Sequence, residues 1–193
     1  MFSEYFVIVA ALLNLCGSSS YLFATLKGKV RPNKVTWLLW AVAPLIAFSA
    51  EVQQGVGLAS LMTFMVGFGP LMIFVASFVN KKAAWKVGRF DVACGFFSVA
   101  GLVLWYLTKV GNVAILLSII ADALAGLPTI VKSYRAPGTE DYKIYFFGSA
   151  SALITLLAIP KWDFANFGFP LYILLISLLL FVLIKFNRLL RKY

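Results

Sequence analysis

An all-α, polytopic membrane fold is predicted, with seven transmembrane helices set out as two parallel three-helix repeats around one linker helix. Three observations predict it. The 193-residue chain is 62% hydrophobic and 12% charged, and its mean hydropathy of +0.94 exceeds what a soluble domain of this size can hide. Its apolar residues gather into seven runs, each near the roughly 20 residues that cross about 30 Å of hydrocarbon. Finally, residues 14–41 and 122–149 superpose without a gap at a constant offset. Each of these stretches passes from a polar residue within a span through small residues and a basic segment to an aromatic at the start of the next span (Trp37, Tyr145). Identity between the halves is low, so the repeat rests on hydropathy and on where the polar residues fall.

The first span, 5–26, resembles a secretory leader only in position. Residues 1–5 carry Glu4 and no basic residue, and the apolar run that follows is too long for such a leader. Span two, 35–52, begins with Thr36, Trp37 and Trp40 and contains Pro44; span three, 56–79, contains Gly67, Gly69 and Pro70. A fourth span, 89–108, is the linker. Spans five (112–134), six (141–160) and seven (166–187) complete the second repeat, with Asp122 and Pro128 in span five. The division is therefore 1–80, 81–110 and 111–193. Apolar character is continuous along each run rather than alternating, which excludes a membrane β-barrel and leaves helices that satisfy their own backbone groups.

The net charge of +10 is distributed as topology demands. Lys27, Lys29, Arg31 and Lys34 follow span one, Lys81, Lys82, Lys86 and Arg89 follow span three, and Lys132, Arg135 and Lys143 follow span five. Lys185, Arg188, Arg191 and Lys192 close the chain, so that of the 17 basic residues only Lys109 and Lys161 fall on the other side. The positive-inside rule then puts the N-terminus outside and the C-terminus in the cytoplasm, as in a bacterial inner membrane. Anionic lipid headgroups are the partners such charges attract, and nucleic acid is not expected. Tyr5, Trp85, Trp105, Tyr106, Tyr134, Trp162 and Tyr193 sit near span ends, where interfacial aromatics belong, and Trp37 falls at the same kind of boundary.

Several chemistries find no residues to carry them. The chain has no histidine, and Cys16 and Cys94 lie in different spans, so no metal site, disulfide framework or cofactor is expected. An aspartyl dyad needs two carboxylates sharing a proton. Asp122 is the only acid placed deep within a span, and no phosphate-binding loop or nucleophile and base pair appears, so the protein reads as a non-enzyme.

Asp122 is consequently the residue to explain. It lies near the bilayer centre, where an acidic side chain costs at least about 2.5 kcal/mol, and such residues face the bundle interior. Ser118, Asp122, Ala125, Gly126 and Thr129 share one helix face at spacings of three and four. Ala10, Asn14, Gly17, Ser18 and Tyr21 form the same stripe in span one, with Asn14 and Asp122 matched at an offset of 108. Helix-to-helix hydrogen bonding, typically about 0.6 kcal/mol, accounts for an asparagine more readily than for a carboxylate. Trp40 lies one turn inside Trp37 and can pack in the core or stack on a ligand. Pro44, Pro70 and Pro128 each remove a helical hydrogen bond and mark candidate hinges.

Two three-helix units joined by a linker helix, N-terminus out and C-terminus in, resemble the SWEET and PQ-loop transporter superfamily, of which this chain looks like a divergent bacterial-type member. The motif similarity lies in Leu127, Pro128, Thr129, Ile130, Val131, Lys132 and Ser133, followed by Pro137, Gly138, Thr139 and Glu140. These are similar to the family's proline-glutamine pair and its short basic turn. Thr129 stands where the pair has glutamine, and the first repeat has Ser20 and Tyr21 in its place. The resemblance implies alternating access around a pocket between the units, with the prolines as hinges and Asp122 as the proton-coupling residue. Sugar-carrying members use asparagines on the third and seventh helices, where this chain offers Thr63, Ser77 and Ser177, with Asn80 and Asn166 at the ends.

The expectation is therefore a transporter for a small polar metabolite, with Asn14, Ser18, Trp40, Asp122 and Thr129 binding substrate. Its partners are a small-molecule substrate and membrane lipid, and assembly as a homo-oligomer is compatible with the sequence. The alternative is a non-transporting receptor or scaffold of the same fold, holding a partner through its basic loops and the tail 185–193.

Overall fold

In the computed structural model, residues 3–80, 85–108 and 111–190 are described, without the side chains of 101, 102, 105 and 108. Lys81, Lys82, Lys109, Arg191, Lys192, Tyr193 and the Trp105 side chain, all assigned above, lie outside the described residues. The described chain forms seven α-helices and no strand. They are α1 (Phe6–Leu26), α2 (Lys34–Gln53), α3 (Ser60–Ala76), α4 (Arg89–Thr108), α5 (Gly111–Arg135), α6 (Tyr142–Ala158) and α7 (Phe164–Leu190). Short 3-10 turns, Gly57–Ala59 and Pro137–Thr139, precede α3 and α6.

Local chemistry sets the helix ends. Asn33 caps α2 by accepting from the Val35 amide at 3.1 Å, and Asp141 caps α6 by accepting from the Lys143 amide at 3.0 Å. Asp163 does the same for α7 through the Asn166 amide at 3.1 Å. Helix α1 stops where Gly28 turns to φ 68°, letting the Lys29 amide reach back to the Ala24 carbonyl at 2.9 Å. Pro44, Pro70 and Pro128 lie inside α2, α3 and α5. A fourth, Pro170, lies inside α7 and was not singled out from the sequence.

Five segments (α1, α2, 57–76, α5 and α7) are long and apolar enough to cross a membrane, and α6 is a shorter apolar helix of 17 residues. The outward faces of these helices and of α4 are apolar: Leu12, Phe23, Val42, Val75, Phe96, Phe97, Leu175 and Val182 are all exposed. Water would not tolerate so many exposed apolar side chains, whereas lipid tails match them. Tyr5, Tyr106, Tyr134 and Trp162 are also exposed, as boundary anchors should be. Trp37 departs from that expectation, being only 1% exposed. Its indole packs against Tyr21 and Trp40 because α2 turns this face toward α1 and α5.

Helix α3 packs against both α1 and α2, and α7 packs against both α5 and α6. The two sets meet where α1 lies on α6 and α2 lies on α5, while α4 covers α5 and touches α2. The interior divides into two apolar clusters. One gathers Val7, Ala47, Met62, Ile115, Leu156 and Phe169 at the end of the bundle bearing the start of α1. The other, richer in aromatics, gathers Tyr21, Trp37, Trp40, Tyr145 and Leu180 toward the end bearing the loops 27–33 and 136–141.

Candidate functional site

Between the two clusters lies a cleft with a cavity volume of about 70 Å³. Asn14 and Ser18 of α1, Trp37 and Trp40 of α2, Val66 and Pro70 of α3, and Asp122 of α5 line one part of it. Ile144, Tyr145 and Gly148 of α6 and Ile173, Ile176, Ser177 and Leu180 of α7 line the rest.

Four of the five residues expected to bind substrate, Asn14, Ser18, Trp40 and Asp122, come together on this cleft. Thr129 does not line it. That side chain is fully buried about two turns further along the same face of α5, and its hydroxyl has no hydrogen-bond partner among the described residues. Of the candidate hinges, Pro70 stands in the cleft wall while Pro44 and Pro128 are buried in their helices. Because Pro70 has no N–H, the Val66 carbonyl on the same wall lacks its helical donor.

Both polar stripes face inward, every member of each being buried. Small residues in them permit the close approach. A Cβ at Gly69 of α3 would stand 2.1 Å from the Ser18 hydroxyl oxygen, and one at Gly126 would stand 3.2 Å from the Trp40 ring. Helix α2 is fastened to α5 by two side chains that donate to carbonyls in the turn before Pro128. Trp40 Nε1 reaches the Asp122 carbonyl at 3.1 Å, and the Thr36 hydroxyl reaches the Ala125 carbonyl at 2.8 Å.

The Asp122 carboxyl is held from one side only. Its Oδ2 accepts a 2.6 Å bond from the Tyr172 hydroxyl of α7, while Oδ1 is buried with no hydrogen-bond partner among the described residues. A buried carboxyl oxygen left without a donor is costly unless water or a ligand fills the place. The cleft supplies that place.

Toward the loop-bearing end, the cleft is closed by polar contacts that sequence reasoning missed. Glu140 Oε2 accepts from the Tyr21 hydroxyl at 2.9 Å and from the Tyr145 hydroxyl at 3.1 Å, and Oε1 faces the Lys132 ammonium. Lys132 also donates to the Arg31 carbonyl at 2.5 Å. Arg188 Nε donates to the Pro137 carbonyl at 3.0 Å, and its Nη2 to the Glu140 carbonyl. Lys132, a topogenic loop charge by its place in the sequence, is buried.

Asp122 is the only acid at mid-span, and a second acid, Glu51 near the end of α2, is also buried in the protein and accepts from the Thr63 hydroxyl at 3.1 Å. Its position near a span end concealed it. Outside the spans, Asp163 is held below the usual carboxylate range, chiefly by the Asn166 side-chain amide donating at 2.7 Å. Cys16 is exposed on α1 and Cys94 is buried on α4, and the two are unlinked. No cluster of potential metal ligands occurs among the described residues.

Fold and site together define a helical membrane protein with a mixed aromatic and polar cleft between its helices. The chain matches no protein-family model, no curated protein and no solved structure.

Proposed function

We propose that the protein is a membrane carrier that moves a small polar metabolite by alternating access through the central cleft, coupled to proton movement at Asp122. In this reading, α1 to α3 and α5 to α7 are parallel repeats about an axis along the membrane normal, and α4 is the linker. Two observations support the repeat. Asn33 and Asp141, the caps of α2 and α6, stand at the same offset of 108 as Asn14 and Asp122 and as Trp37 and Tyr145. The packing also maps onto itself under that exchange, since α1 on α6 becomes α5 on α2, and α3 between α1 and α2 becomes α7 between α5 and α6.

The carrying observation is the cleft itself, set between the two units and walled by Asp122, whose Oδ1 has no partner among the described residues. An intramembrane acid facing a cavity is the usual mark of a substrate or proton path. With the N-terminus outside, the Tyr21, Lys132, Glu140 and Tyr145 contacts form the cytoplasmic closure. The Val7, Met62, Leu156 and Phe169 cluster forms the outer one. Rocking of one unit against the other about Pro44, Pro70 and Pro128 then opens them in turn.

The test compares wild type with Asp122→Asn in vesicles carrying an imposed pH gradient, at matched protein density. Asparagine keeps the side chain's size and its bond to Tyr172 but cannot titrate. Wild type is expected to accumulate substrate with the gradient, and the variant to retain only exchange. Gradient-driven uptake undiminished in Asp122→Asn rejects coupling through this residue. The absence of any protein-dependent uptake across a panel of sugars, amino acids, amines and vitamins rejects the carrier.

A further inference from the structure

The charge and ring geometry of the cleft specify its ligand more closely than the word polar does. Among its lining residues Asp122 is the single ionisable acid, and none is lysine or arginine. Three aromatic side chains, Trp37, Trp40 and Tyr145, share the lining with Asp122. Trp37 and Trp40 stand with ring centroids 5.4 Å apart and planes at 82°, and Trp40 and Tyr145 stand 6.4 Å apart at 76°. The three rings thus stand in successive near-perpendicular planes along the cleft wall. Their electron-rich faces attract a cation and give nothing to an anion. Trp37 Nε1 is buried with no partner among the described residues, so a ligand acceptor has a donor to meet there.

We propose that the substrate class of this cleft is a small organic cation, an alkylammonium or protonated amine bearing a hydroxyl or carbonyl group. The positive centre sits among Trp37, Trp40 and Tyr145 with Asp122 as its counter-charge, and the acceptor group takes the Trp37 N–H. Asn14 and Ser177 add neutral hydrogen-bonding groups to the same walls. A neutral sugar leaves the carboxylate without a counter-charge, and an anion meets it with repulsion in a low-dielectric site. This class rests on the carrier reading for its physiological meaning, but the binding site does not depend on transport.

The experiment measures binding to the purified full-length protein, by tryptophan fluorescence and by thermal shift, for two cations and their uncharged counterparts. Choline is paired with 3,3-dimethyl-1-butanol, and tyramine with 4-(2-hydroxyethyl)phenol. At least one cation is expected to bind at least about tenfold more tightly than its counterpart. Asp122→Asn should abolish that preference. Trp40→Leu, which leaves the carboxyl in place, should weaken the cation more than its neutral counterpart, and it serves where Asp122→Asn does not fold. Equal binding within both pairs, or no binding of either cation up to about 10 mM, overturns the cation site. Cation binding without uptake into vesicles keeps this site and rejects the carrier. Uptake of neutral or anionic metabolites without cation preference rejects this site and keeps the carrier.

Discussion

Lys132 and Glu140 offer the sharpest test of how the loop-bearing end of the bundle is held. Their side chains are 1% and 0% exposed, so neither charge has water to fall back on. Lys132→Met removes the ammonium and leaves Glu140 with only the Tyr21 and Tyr145 hydroxyls as donors. Glu140→Gln leaves the ammonium without a counter-charge, beside the Arg31 carbonyl and the Trp85 ring. Removing one partner of a buried pair costs about 3–5 kcal/mol, because the other is left charged and unpaired. For a chain of this length each kcal/mol lowers the melting temperature by about 2–4 °C, so either single variant should melt about 6–20 °C lower. The double variant Lys132→Met with Glu140→Gln leaves no orphan charge. It should therefore be more stable than the two single losses sum to, by as much as about 3 kcal/mol. The assay is thermal unfolding of detergent-purified protein, followed by tryptophan fluorescence across the full cycle. Single variants that cost under about 1 kcal/mol, or a double variant equal to the sum, would refute the buried pair.

Gly69→Ala drives a Cβ to within 2.1 Å of the Ser18 hydroxyl oxygen and should cost about 1–3 kcal/mol, whereas Gly138→Ala meets nothing within 4 Å and should stay within about 0.5 kcal/mol. Unfolding midpoints of the two variants check the contrast. Asp163→Ala removes the cap of α7 and should cost about 1 kcal/mol at neutral pH. Since the folded carboxyl titrates below its unfolded value, that advantage is present above about pH 4 and fades as pH falls through the folded value. Stability curves of wild type and variant should accordingly converge in acid. Cysteines placed at Lys29 and Gly138, in a Cys16→Ala and Cys94→Ala background, should be shielded from an impermeant outside reagent, while those at Gln53 and Asp163 should react. Labelling of Lys29 and Gln53 from one side would remove the topology.

Much of this architecture is written in local sequence, because crossing a membrane is a property of consecutive residues. Twenty apolar residues must be helical in lipid whatever they touch, and so the seven helices lie within a few residues of the hydropathy runs. The inward stripes were legible for the same reason. A polar residue at mid-span has one tolerable direction, which put Asn14, Ser18 and Asp122 on the interior before any neighbour was known. What needed tertiary structure was the choice of partners across the bundle. Tyr172 meets Asp122 across 50 residues of chain, and Tyr21 meets Glu140 across 119, with no periodicity linking either pair. Lys132 and Trp37 read locally as a loop charge and a boundary anchor. Packing of α1, α2 and α6 around them turned one into half of a buried ion pair and the other into a wall of the cleft. Thr129 shows the converse, since it shares the inward face of α5 with Asp122 but stands about two turns further along the helix, outside the cavity lining. Hydropathy decides which residues leave the lipid. Only the crossing of helices distant in sequence decides which buried residues share water, charge or a ligand.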